Sequence, residues 1–193
     1  ATKGPLDPWK SGSPAPLHKS QKAEEVVRAD VYDTVVLTAP DGKAPMPTRL
    51  LPRHCVQMTW GAKLHEELAL DARKDLQVLQ GTRAELGSFS AFHDYGFHDK
   101  LNNLHSTGLH VELEKAGITH VYVCGLPFDH AVTHTALHAA EAGFVTSVVE
   151  DACRAADLDG IAKSRARLEV ASIQLIRSYN MKAHMENAVL SSV

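Results

Sequence analysis

The 193-residue sequence lacks any apolar run that approaches the ~20 residues of a membrane-spanning helix, which excludes a transmembrane protein. It contains only three cysteines, too few and odd in number for a disulfide scaffold, and this fits a reducing, intracellular location. It also lacks an excess of basic charge, since the formal net charge is −3. We therefore expect no direct contact with nucleic acid.

Glycine and proline are concentrated at the N-terminus and predict three parts of the chain. Residues 1–28 are expected to form an arm, because this density of Pro and Gly forbids a long helix or a central strand. Residues 29–179 then form the folded domain, and residues 180–193 form a C-terminal tail.

Hydrophobic patterning predicts alternating strands and helices. In the first half, we expect a strand over 29–37, a helix over 64–71, a short buried strand over 76–79 and a partial helix over 100–116. The second half is more regular, with strands over 119–125, 144–149 and 173–176 and helices over 131–142 and 158–171. Strand and helix alternating at about 25 residues indicate βαβ units around a parallel sheet.

Three segments of the chain carry a family resemblance. They are residues 50–62 (LLPRHCVQMTWGA), residues 80–82 with 88–92 (QGT and SFSAF), and residues 123–132 with 148–154 (VCGLPFDHAV and VVEDACR). Together they resemble the nicotinamidase branch of the isochorismatase-like cysteine hydrolases over about residues 33–176. The resemblance implies an α/β fold, a doubly wound parallel sheet with helices on both faces. We expect its first strand and first helix to be absent from this chain.

The resemblance also implies a chemistry, in which a small amide such as nicotinamide is cleaved through a thioester on a cysteine. In the family that cysteine follows an Asp by two residues. Here Asp129 is followed by Ala131, whose methyl group cannot form a thioester. The lysine that activates the thiol is matched by Gln80, which carries no charge. No segment resembles the family's first strand, which supplies the acid/base Asp.

The metal site of nicotinamidases, built from one Asp and two His, is also incomplete. His54 matches one ligand, but the Asp-x-His pair is matched only by Asp7 with Lys10 in place of the His. A single imidazole falls short of the three protein ligands that a catalytic metal usually has, so we expect no metal and no cofactor. His130, His134 and His138 share one helical face, and without a partner carboxylate we interpret it as a polar or interfacial face.

One family feature is retained, because the bond Leu126–Pro127 matches a cis peptide in the family's oxyanion turn. A vestigial ligand pocket is therefore predicted from His54, Phe89, Leu126 and Pro127.

These substitutions predict a pseudoenzyme: a nicotinamidase-like chain without amidase activity that serves as a structural or accessory subunit of a larger protein assembly. A second chain is expected to complete the sheet, and the start at Ala1 without Met suggests import into a mitochondrial or other organellar matrix. Two alternatives stay open. One is a protein that binds a nicotinamide-like or nicotinate-like small molecule, and the other is a surviving amide hydrolase that uses Asp129, His130 and Cys124.

Overall fold

The computed structural model describes residues 29–37, 46–71, 73–82, 87–98 and 104–190. In the first half, the strands are β1 (Thr34–Leu37), β2 (Met46–Arg49), β3 (His93–His98) and β4 (Leu104–Ser106), followed by helix α1 (Leu109–Lys115). The second half contains β5 (His120–Gly125), α2 (Thr133–Glu141), β6 (Val145–Cys153), α3 (Leu158–Val170), β7 (Gln174–Ile176) and α4 (Met181–Leu190).

The second half forms a parallel sheet in the order β5-β6-β7, with α2 and α3 as its crossover helices. The register pairs Val123 with Val148, and Val148 with Leu175, so valines meet across the middle of the sheet. β-branched residues recur in β5 and β6, as expected for strands buried by helices. The predicted α/β class with its parallel sheet is confirmed.

The main core lies between this sheet and its two helices. Val148 and Leu168 are fully buried there, and Ala136 lets α2 approach the strands closely. The remaining buried members of the cluster are Val123, Phe128, Val132, Cys153 and Ile173. A second cluster, formed by Phe92, Ala139 and Phe144, packs the segment before β3 against α2 and β6.

The first half differs from the prediction, because its strands form antiparallel pairs, β1 with β2 and β3 with β4. The strand predicted over 29–37 begins only at Thr34, since Asp30 and Asp33 form a hydrogen-bonded turn before it. Arg49, at the end of β2, lies 2.7 Å from a carboxylate oxygen of Asp157, which links this hairpin to the start of α3.

Two predicted elements are wrong. Residues 64–71 form turns instead of a helix, and residues 76–79 form no strand. Leu64 and Leu68 are more than half exposed, and so are Leu76 and Leu79. A short apolar pattern gains regular structure only where its apolar face packs against something, and these leucines do not supply such a face.

The second half follows the prediction closely, with strands and helices shifted by a few residues at their ends. The exception is β6, which continues to Cys153 rather than ending at Val149. Most of the predicted tail is the helix α4, while the arm 1–28 lies outside the described residues. Among the described helices, none is both long and apolar enough to span a membrane.

The buried core predicts unequal effects of two leucine truncations in α3. Leu168→Ala removes a fully buried side chain and should lower the free energy of unfolding by about 2–5 kcal/mol. Leu158→Ala, in the same helix, changes a side chain that is 82% exposed and should have an effect within about 0.5 kcal/mol. Urea denaturation of both variants measures the difference, and equal losses would contradict this description of the core.

Candidate functional site

The turn after β5 is the feature around which the candidate site is built. Gly125 has φ of 126°, a conformation that favours glycine, and the Leu126–Pro127 peptide is cis, as predicted. A π-helical turn, Phe128–Val132, follows and runs directly into α2. Phe128 and Val132 are buried in the main core, so they fix both ends of this turn.

The buried carboxylate of Asp129 holds the turn against the start of α3. Its Oδ1 accepts the backbone N–H of Ala156 at 2.8 Å, and its Oδ2 accepts that of Asp157 at 3.0 Å. The Phe128 N–H donates to the carbonyl oxygen of Arg154 at 2.8 Å, so the same two segments are joined on both sides. Gly160 lies so close that a Cβ there would be 2.8 Å from the Cβ of Asp129.

Ala131, at the position of the family's nucleophile, is half-buried in the middle of this turn. Gln80, at the position of the activating lysine, is exposed and lines a cavity of about 670 Å³. That cavity is formed by residues 76–82 together with parts of β3, β4 and α1. The Nε2 of Gln57 donates to the carbonyl oxygen of Gly81 at 3.2 Å and holds the loop in place.

An aromatic wall, defined here as Phe89, His130 and His134, includes the residue that precedes Ala131 in the chain. The ring centroid of Phe89 lies 6.3 Å from that of His130 and 5.8 Å from that of His134. Burial lowers the pKa of His134, against the opposing effect of its 2.9 Å hydrogen bond with the His130 carbonyl oxygen. The Nε2 of His130 is 3.9 Å from Oδ2 of Asp129.

The sequence pattern predicts that His130, His134 and His138 share one helical face. It does not predict that a fourth histidine stacks on one of them. The ring of His93, in β3, stacks on that of His138 with centroids 3.8 Å apart. No local signal in the sequence could have found this contact, because it depends on the pairing of β3 with β4 and on how that hairpin packs against α2.

The other predicted pocket residues are more dispersed. His54 is exposed, and its Nδ1 lies 2.7 Å from the carbonyl oxygen of Pro52 in its own loop. Leu126 is 70% exposed, while Pro127 is half-buried. Phe89 contacts the turn through His130. Within the described part of the chain, the recorded hydrogen bond of His54 stays in its own loop and does not reach the turn. The vestigial ligand pocket therefore stays a prediction.

The cysteines differ sharply in their surroundings. Cys124, at the end of β5, is exposed, as is Cys55. Cys153 is buried, its thiol donates to the carbonyl oxygen of Val149 at 3.2 Å, and burial raises its pKa. A buried thiol with a raised pKa is a poor nucleophile, so Cys153 has a packing role.

A catalytic metal does not fit the residues that the structure describes. Across 29–37, 46–71, 73–82, 87–98 and 104–190, no three His, Cys, Asp or Glu side chains group as they would to bind a metal ion. His54 alone falls short of the usual ligand set, and Asp7 lies outside the described residues.

The turn over residues 126–132 falls within a domain of a known protein family. The family model of the isochorismatase domain matches residues 13–177, which is most of the chain. The chain belongs to the isochorismatase family. Its strand β5, the turn over residues 126–132 and helix α2 all lie within the matched range.

Several relatives of this isochorismatase-family chain are named nicotinamidase. The protein from Acinetobacter baylyi is 36% identical over 78% of this chain and 64% of its own length. The protein from Saccharomyces cerevisiae is 31% identical over 66% of this chain and 58% of its own length. The chain therefore spans about three fifths of the length of these relatives.

Solved structures give the same family fold. The yeast nicotinamidase bound to the inhibitor nicotinaldehyde superimposes with a TM-score of 0.68, at 28% identity, over 83% of this chain and 71% of that one. The nicotinamidase from Acinetobacter baumanii gives a TM-score of 0.66, at 30% identity, over 79% of this chain and 68% of that one.

These comparisons contradict the prediction that the chain is not an enzyme. Relatives and solved structures named nicotinamidase, at 28–36% identity, point to an amidohydrolase. The prediction rested on Gln80 and Ala131, on the missing acid/base segment and on the incomplete metal site, and these do not show that catalysis is lost. Ala131 removes the covalent route alone, whereas attack by water needs no protein nucleophile.

The role of Asp129 predicts a specific loss of stability. Asp129→Asn keeps one acceptor oxygen but turns an amide NH₂ towards the second backbone N–H, so the free energy of unfolding should fall by about 1–3 kcal/mol. Asp159→Asn is the control, because Asp159 is an exposed carboxylate in the first turn of α3 and its loss should cost about 0.5 kcal/mol or less. Thermal unfolding of both variants checks this, and an Asp129→Asn variant as stable as the parent would refute the anchoring role.

Proposed function

We propose that this protein hydrolyses a small amide of the nicotinamide class at the turn over residues 126–132. The observation that carries the proposal is the Asp129-anchored turn with the aromatic wall beside it, in a chain whose relatives are named nicotinamidase. The chain spans about three fifths of those relatives, so the activity is proposed from the part of the fold that it contains.

The turn supplies a rigid place for the amide carbonyl. Residues 128–141 form one continuous helical segment, and Ala131 lies in its first turns. The N-terminal end of a helix favours negative charge, which develops on the carbonyl oxygen when the amide is attacked. Asp129 fixes this end through two backbone N–H groups of the neighbouring segment, so the site is preorganised.

Hydrolysis in this chain uses water as the nucleophile, because Ala131 offers no thiol. His130 is the general base: its imidazole takes a proton as the water oxygen bonds to the carbonyl carbon. It returns that proton to the leaving nitrogen as the C–N bond breaks, which gives a carboxylic acid and ammonia. The carboxylate of Asp129, 3.9 Å from Nε2, lies where positive charge develops on the ring.

The aromatic wall favours a planar ring on the substrate. The ring centroid of Phe89 lies 6.3 Å from that of His130 and 5.8 Å from that of His134, so the three rings form adjacent π-surfaces. Aromatic groups pack against such surfaces in offset or tilted arrangements. A pyridine carboxamide matches both the wall and the carbonyl position beside Ala131.

Ammonia release from nicotinamide tests this proposal. The full chain should release ammonia faster than the heat-denatured protein, and His130→Gln should lower that rate by about 100-fold. His65→Gln is the matched control, because His65 is an exposed histidine in another loop and its change should leave the rate unaltered. A parent rate equal to that of the denatured protein contradicts the hydrolase, and an unchanged rate in His130→Gln contradicts the role of His130.

We propose in addition that the chain works within a larger assembly in which a second chain completes the sheet. Leu126, Leu158 and Val170 are each at least 70% exposed, so their side chains are available for contact with a second chain. Within the described residues, β5 pairs with β6 alone, so one of its edges is left without a strand there. Residence in a mitochondrial or other organellar matrix stays a prediction.

The native mass of the endogenous protein decides the assembly proposal. We expect a stable complex well above the 21.0 kDa of this chain, with defined companion chains identified by mass spectrometry. A free monomer would contradict it, without bearing on the hydrolase proposal.

A further inference from the structure

Two stacked histidines join β3 to α2 next to the candidate site. The rings of His93 and His138 are 3.8 Å apart at their centroids and inclined by only 24°. The ring of His134 meets that of His138 edge-on at 6.5 Å. Close parallel stacking suits neutral imidazoles, because two imidazolium rings at this distance repel each other.

The groups facing His138 make its protonation costly. Burial, followed in order of effect by His93, His134 and Arg167, lowers the pKa of His138 to about 4. These neighbours come from β3, from α2 itself and from α3, so cationic or titratable groups meet the ring from three elements.

The sign of the pH effect follows from this depressed pKa. A histidine freed from the stack titrates near its ordinary value of 6.5, so the separated state binds protons between pH 6.5 and about 4 while the stacked state does not. The stacked state is therefore fully favoured above pH 6.5 and loses its advantage as the pH falls.

The stack holds a short segment that carries part of the aromatic wall. Ala91 donates its backbone N–H to Oγ1 of Thr135 in α2 at 3.0 Å, and its carbonyl oxygen accepts from Oγ1 of Thr107 at 2.6 Å. Phe89, two residues before Ala91, contacts His130 and His134. Separation of His93 from His138 would leave these contacts, together with the packing of Phe92 against Ala139, to hold residues 88–94 against α2.

We propose that the His93–His138 stack is an acid-sensitive latch whose protonation releases residues 88–94 from α2 and opens the aromatic wall beside Ala131. The latch acts on the conformation of this segment alone, so it stands or falls independently of the hydrolase proposal.

Hydrogen exchange of the full chain at pH 7 and pH 5, corrected for the intrinsic effect of pH on exchange, tests the latch. We expect the protection of residues 88–94 to fall at least tenfold at pH 5, while that of β5 stays unchanged. His138→Phe keeps an aromatic ring that cannot be protonated and should abolish the change. His65→Phe, at an exposed histidine, should retain it.

Three results would overturn the latch. They are equal protection of residues 88–94 at both pH values, an undiminished change in His138→Phe, and a parallel loss in β5, which would indicate acid unfolding of the whole domain. If circular dichroism shows that His138→Phe does not fold, His138→Gln replaces it, because its amide also cannot be protonated, with the same expected result and the same contradiction.

Discussion

The carboxylate of Asp129 is the interaction on which the candidate site depends. It is buried in the turn after β5 and accepts hydrogen bonds from two backbone N–H groups just before α3. A buried charge is tolerated only when it is hydrogen-bonded, so the turn and the neighbouring segment must stay together. Gly160 permits this approach, because any larger residue there would meet the Asp129 side chain. The position of Ala131 and His130 is a consequence of that anchoring.

The proposed hydrolysis differs from the thiol chemistry that the family resemblance implies. Ala131 has no nucleophilic atom and Gln80 has no charge, yet the turn that would hold the amide carbonyl is intact. A preorganised turn lowers the barrier for any attacking group, because it stabilises the charge on the carbonyl oxygen rather than the bond to the nucleophile. The membership of the isochorismatase family and the names of the relatives favour retained amide chemistry over a purely structural role.

The second half of the fold could be predicted from the sequence because its signals are local and agree with one another. The β-branched run that forms β5, the alanines of α2 and the glycines at 117 and 143 each indicate the same βαβ order. The first half could not be predicted in this way. The exposed leucines at 76 and 79 look like a buried strand in sequence, and only packing distinguishes the two.

Part of the candidate site could also be predicted from the sequence, because its signal is local. Residues 125–131 are contiguous, so the sequence shows the turn as a motif. Its anchoring partners, Ala156 and Asp157, come later in the chain, after α2 and β6. The contact of His93 with His138 depends on tertiary packing, and single-sequence patterns carry no information about it. The sequence alone therefore does not show which residues from distant segments contact the site.

Binding of the amide at the turn over residues 126–132 can be measured by NMR, with a ¹⁵N-labelled chain titrated with nicotinamide. We expect saturable shifts of the backbone amide signals of His130, Ala131 and Val132, together with that of Phe89. Shifts confined to residues 76–82, which line the separate cavity, or no shifts at millimolar nicotinamide, would contradict it.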